Sequence, residues 1–89
     1  MKLEILGTGC YSCLELELRV AKTVQKLGIT NAEVVRVSDD RRIRRYTTLD
    51  ATPGLVINGR LVSERQVPDQ ATLTAWLSQA WAVEAVAPR

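Results

Sequence analysis

A chain of 89 residues has room for one domain, near the lower end of the size that buries enough apolar surface to fold without metals or structural disulfides. Its 46% hydrophobic and 25% charged content excludes disorder and collagen-like repetition, and a net charge of +2 is far below the density that argues for a nucleic-acid partner. No apolar run approaches the roughly 20 residues that cross a bilayer, and the segment from Met1 to Gly7 holds one early cation, an acid and no apolar stretch of signal length, so a cytoplasmic protein is expected.

Leu3-Glu4-Ile5-Leu6 is a short apolar run ending at Gly7-Thr8-Gly9, the pattern of a buried strand followed by a loop. The chain's two cysteines follow at Cys10 and Cys13, too close together to staple a small secreted fold, which points to chemistry or metal. Leu14, Leu18, Ala21, Val24 and Leu27 then recur at helical spacing, with Leu16 and Val20 widening the face and Gly28 closing the helix. This stripe is expected to cover a sheet. Ala32 to Val37 is β-branched and predicts a second strand, after which Ser38 is placed to cap a short helix carrying Ile43 and Tyr46 on its inner side.

Leu55-Val56-Ile57 and Arg60-Leu61-Val62 flank Asn58-Gly59, the dipeptide that most favours a two-residue hairpin. A last helix is predicted from Asp69 as cap, with Leu73, Trp76, Leu77, Ala80 and Trp81 on one face. Residues 1–81 are therefore read as the domain and 82–89 as a frayed tail, Pro88 arguing against a helix to the end. The order β-α-β-α-β-β-α predicts an α/β fold with a four-stranded mixed sheet, its first two strands parallel and helices on both faces. Arg41, Arg42, Arg44 and Arg45 form the densest charge cluster. Beside Asp39 and Asp40, with no aromatic residues interleaved to stack on bases, they read as a solvated helix face, and neither nucleic acid nor membrane is expected as a partner.

Cys10-Tyr11-Ser12-Cys13 puts two thiols one helical turn apart at a strand-to-helix junction, within reach of a disulfide. Unsatisfied amides and the positive end of a helix favour the thiolate at the first cysteine, making Cys10 the attacking group and Cys13 the resolving one, more buried. Free cysteines are often merely buried, but two at this spacing after a first strand argue against accident. The rival reading is a binding module, for Cu(I) or a partner protein, with a regulatory dithiol. Zinc would need further ligands, since the chain has no histidine and no third cysteine. The loop is superficially similar to that of small copper chaperones, whose strand order differs.

Three segments together, Ile5-Leu6-Gly7-Thr8-Gly9-Cys10 through Cys13, Ala51-Thr52-Pro53-Gly54 through Gly59, and Val67-Pro68, resemble the small glutaredoxin-like proteins of thioredoxin fold from bacteria and archaea, over residues 1 to about 81. The resemblance implies a thiol-disulfide oxidoreductase in which Pro53 is cis and faces the dithiol, with the Thr52 backbone pairing a substrate strand. It implies no cofactor beyond a reversible Cys10-Cys13 disulfide. The partners it implies are a disulfide-containing protein or small molecule and an electron donor, either a dithiol or an enzyme of the thioredoxin-reductase type. Tyr11 and Ser12 depart from the pair common between the cysteines of that family. Both remain substrate-binding candidates, and two readings of Tyr11 stay open, a ring that faces substrate or one that only shields the disulfide. Glu15 and Glu17 oppose a nearby thiolate and no cation lies near Cys10 before Arg19, so a relatively reducing couple is expected.

Overall fold

The computed structural model describes residues 1–7, 9 and 11–86, with side-chain surroundings for all of these except 50 and 83–86. Strands β1 (Lys2–Leu6) and β3 (Gly54–Ile57) lie at the centre of a sheet of order β2-β1-β3-β4, flanked by β2 (Glu33–Val37) and β4 (Arg60–Glu64). A central strand is covered on both faces, and Leu3 through Leu6 and Leu55-Val56-Ile57 are accordingly buried without alternation. β1 runs parallel to β2, with Leu6 opposite Val37, and β3 pairs antiparallel with both β1 and β4.

The hairpin forms where the dipeptide predicts it. Asn58 and Gly59 take φ of 50° and 84°, the left-handed pair that a twisted two-residue turn requires. The Asn58 amide donates to the Lys2 carbonyl and the Lys2 amide to Asn58 Oδ1, both at 2.8 Å, so the turn also anchors the start of β1.

Helices α1 (Tyr11–Leu27) and α3 (Gln70–Val86) cover one face of the sheet, where Leu16, Val20, Leu73 and Leu77 meet Leu3, Ile5, Leu55 and Ile57. The short α2 (Asp40–Ile43) covers the other, Ile43 closing over Leu6, Val37 and Val56 with Tyr46 packed beside them. The fold is thus the expected four-stranded mixed sheet between helical layers.

Three expectations are corrected. The buried face of α1 is Cys13, Leu16, Val20 and Thr23, whereas Leu14, Leu18 and Ala21, read as its core stripe, are exposed. Polar partners fix that rotation. The Thr23 hydroxyl donates to the Arg19 carbonyl at 2.7 Å and accepts from Gln70 Nε2, and Arg19 Nη1 donates to the Pro68 carbonyl at 2.8 Å, so the Thr23 side of α1 is held against the start of α3. At α2 the cap is Asp39, whose carboxylate accepts from the Arg41 amide at 2.9 Å, one residue later than Ser38. Finally, α3 continues past Trp81 to Val86, because Ala82 and Ala85 are strong helix formers and a proline at 88 disfavours helix only close to itself. Residues 82–86 of the expected tail are therefore helical, and 87–89 lie outside the described residues. Trp76 and Trp81 are half-buried against the α1/α3 core.

Candidate functional site

β1 ends at Leu6 and α1 begins at Tyr11, so the Cys-Tyr-Ser-Cys segment spans the strand-to-helix junction. Cys10 lies outside the described residues. Cys13 is the third residue of α1, is 2% exposed and is disulfide-bonded. Tyr11 and Ser12 are exposed at the helix start. Beneath Cys13 runs Gly7, buried and bonded through its amide to the Val37 carbonyl at 2.9 Å. A Cβ on Gly7 would lie 3.0 Å from Cys13 Cβ and overlap its sulfur, so only glycine lets the end of β1 pass this close. The sequence pattern places Gly7 in the loop after β1. The doubled glycines before the first cysteine were the available signal.

The second segment arrives through the sheet. Leu6 pairs with Gly54, so Pro53, one residue before Gly54, and Gly7, one residue after Leu6, stand at the same end of the sheet. The Thr52-Pro53 peptide is cis. Pro53 is buried and Thr52 half-buried, the Thr52 hydroxyl donating to the Leu49 carbonyl at 3.1 Å across the turn Leu49–Ala51. Arg65 holds this loop from the far side. Its amide donates to both the Ala51 and Pro53 carbonyls, at 2.9 and 3.0 Å, from a left-handed conformation of φ 64° that arginine rarely adopts. No pattern in the sequence marks Arg65 for this position.

The acids on α1 do not act alone on the helix start. Glu15 pairs with Arg19 at 3.1 Å, and Glu17 accepts two bonds from Arg36 of β2, at 3.0 and 2.8 Å. The bond from Arg36 holds the Glu17 carboxyl below its ordinary range, and the same bond raises the Arg36 guanidinium. On the opposite sheet face the buried Glu4 accepts from the Tyr46 hydroxyl at 3.1 Å, a bond that raises the Tyr46 phenol, aided by burial. Arg41, Arg42, Arg44 and Arg45 are exposed, as a solvated face requires. Among the described residues no group of three or more His, Cys, Asp or Glu side chains is gathered for a metal ion, and no helix is long and apolar enough to cross a membrane.

A family model described as a thioredoxin domain matches residues 1–78. A protein named thioredoxin from Methanothermobacter thermautotrophicus is 39% identical over 61 residues, spanning 68% of this chain and 77% of that protein. No solved structure gives a significant match.

Proposed function

Because the chain belongs to the thioredoxin family, with the redox role that family carries, we propose that it is a thiol-disulfide oxidoreductase working through Cys10 and Cys13. The observation that supports this most directly is Cys13 itself, disulfide-bonded and buried in the first turn of α1 in a chain with one other cysteine.

The Cys10 thiolate attacks one sulfur of a substrate disulfide. That S–S bond breaks, the departing thiolate takes up a proton, and a mixed disulfide joins Cys10 to the substrate. Cys13 then loses its proton and attacks Cys10 Sγ, which expels the second substrate thiolate and closes the Cys10-Cys13 bond. Two electrons pass from the dithiol to the substrate, and an external dithiol or a reductase restores them. The helix start favours the Cys10 thiolate, while burial of Cys13 keeps the resolving sulfur from competing for substrate. Thr52 and Pro53, at the same end of the sheet, form the edge along which a substrate strand docks, with Tyr11 and Ser12 beside it. Glu15 and Glu17, though each is ion-paired, supply no net positive field to the thiolate, consistent with a reducing couple. A reducing compartment, the cytoplasm, suits a pair that must be reopened each cycle.

Cys10→Ser is expected to reduce turnover of Ellman's reagent, with dithiothreitol as donor, to the uncatalysed rate. Cys13→Ser is expected to accumulate a mixed disulfide with substrate, read by mass spectrometry. Turnover surviving Cys10→Ser, or tight stoichiometric Cu(I) uptake without turnover, would overturn the proposal in favour of another nucleophile or a soft-metal module.

A further inference from the structure

At the end of the sheet opposite Gly7 and Pro53, a groove of about 630 Å³ opens between the β3-β4 hairpin and α3. Ile57, Val62, Trp76 and Ala80 give it apolar walls, and all four belong to or pack against the core beneath α1 and α3. Arg60, directly after the turn, and Gln79, on the same side of α3 as Trp76, line it from exposed positions, and Arg60 is the one charged side chain of the lining. Among the described residues neither the Arg60 guanidinium nor the Gln79 carboxamide has a hydrogen-bond or ion-pair partner.

We infer that this groove is a binding site for a small aromatic carboxylate, its flat body against Trp76 and its anion on Arg60. The site is remote from the exchange chemistry proposed above and stands or falls without it. Its volume lies within the roughly 300–1,000 Å³ of small-molecule sites, which are mostly apolar with a few polar groups that fix orientation. Charge selects the sign of the occupant, since an uncommitted cation beside apolar walls is matched by an amphiphile with one negative group. The planar guanidinium fork pairs with a carboxylate through two parallel hydrogen bonds, and the Gln79 amide is a further donor. Trp76 selects the body, because a ring stacked on indole gains more than its buried area alone supplies.

The walls are fixed before anything binds. The two bonds between Asn58 and Lys2 pin the hairpin to β1, while the Gln70-Thr23 and Arg19-Pro68 bonds hold α3 against α1. A groove that needs no rearrangement keeps most of its contact energy for the ligand. A protein occupant fits less well. The large apolar side chains exposed among the described residues, Tyr11, Leu14 and Leu18, all lie on α1 and none lines the groove, so a protein seated there finds no such side chain beyond it to cover. The contact would fall well short of the roughly 800 Å² per partner of a standard interface.

The test titrates cinnamate, and separately its uncharged analogue cinnamamide, into the isotope-labelled full chain and follows both by NMR. Cinnamate is expected to bind saturably at one site in the submillimolar range, moving the Trp76 indole N–H, the Gln79 side-chain amide and the Val62 amide. The Gly7 and Gly54 amides at the other end of the sheet should stay in place. Cinnamamide is expected to bind about tenfold more weakly, having lost the charged hydrogen bonds. Arg60→Gln, at an exposed position, should weaken cinnamate by the same factor and leave cinnamamide unchanged, with an otherwise unaltered amide spectrum establishing that the variant is folded. Absence of saturation at millimolar cinnamate, equal affinity for the two compounds, or indifference to Arg60→Gln would overturn the inference. So would shifts centred on Gly7 and Gly54 or on Arg41 to Arg45, because the ligand would then be seated elsewhere.

Discussion

The two sides of α1 carry similar residues and have opposite fates. Leu16 and Val20 are wholly buried, Leu18 is 70% exposed, and the run Leu14-Glu15-Leu16-Glu17-Leu18 places a leucine at every second position, supplying both sides at once. Hydrophobicity therefore does not decide which side turns inward. The polar residues do. Thr23 finds Gln70 and the Arg19 carbonyl, Arg19 finds the Pro68 carbonyl, and Glu17 finds Arg36. The alternative rotation would bury Glu15 or Lys22 and strand Thr23 in solvent, a cost in desolvation that no leucine offsets.

That contrast is most sharply broken by exchanging equal substitutions between the two sides. Leu16→Ala removes a side chain with no exposed surface and is expected to cost about 2–5 kcal/mol in chemical denaturation. Leu18→Ala, the same chemical change two residues on, is expected to stay within about 0.5 kcal/mol. Comparable losses at both positions would mean that α1 sits in another rotation. A step smaller is Gly7→Ala. The added methyl meets Cys13 on the buried side, where neither β1 nor α1 yields easily, and a cost of about 1–3 kcal/mol is expected. Turnover of Ellman's reagent should fall with it, since the methyl displaces the resolving sulfur. An unchanged rate would show that Cys13 need not lie against Gly7.

How much of this was legible beforehand follows from the range of the interactions. The hairpin at Asn58-Gly59 and the helix end at Gly28 rest on local backbone preference, and the order of elements rests on short apolar runs, so residues 1–81 could be laid out from pattern alone. The junction placed Cys13 correctly for the same reason. The rotation of α1 was not legible, because Thr23 looks like a surface residue until Gln70, 47 positions away, is beside it. Gly7 and Arg65 were missed likewise. Their importance lies in what passes close to them, the sulfur of Cys13 and the carbonyl of Pro53, and neither neighbour is local. At α2, Asp39 and Ser38 are both good caps, and one residue of register separates them.

The smallest expected effect lies at Arg36→Gln. The guanidinium bonds hold the Glu17 carboxyl below its ordinary value in the folded chain, so the pair stabilises the fold above the ordinary glutamate range, and that contribution fades as pH falls through the lowered value. Removing Arg36 should return the Glu17 titration upward, read by NMR, and flatten the acid limb of the stability curve. At neutral pH an exposed pair contributes little, so the melting temperature should barely move. An unmoved Glu17 titration would mean that Arg36 is not what holds that carboxylate.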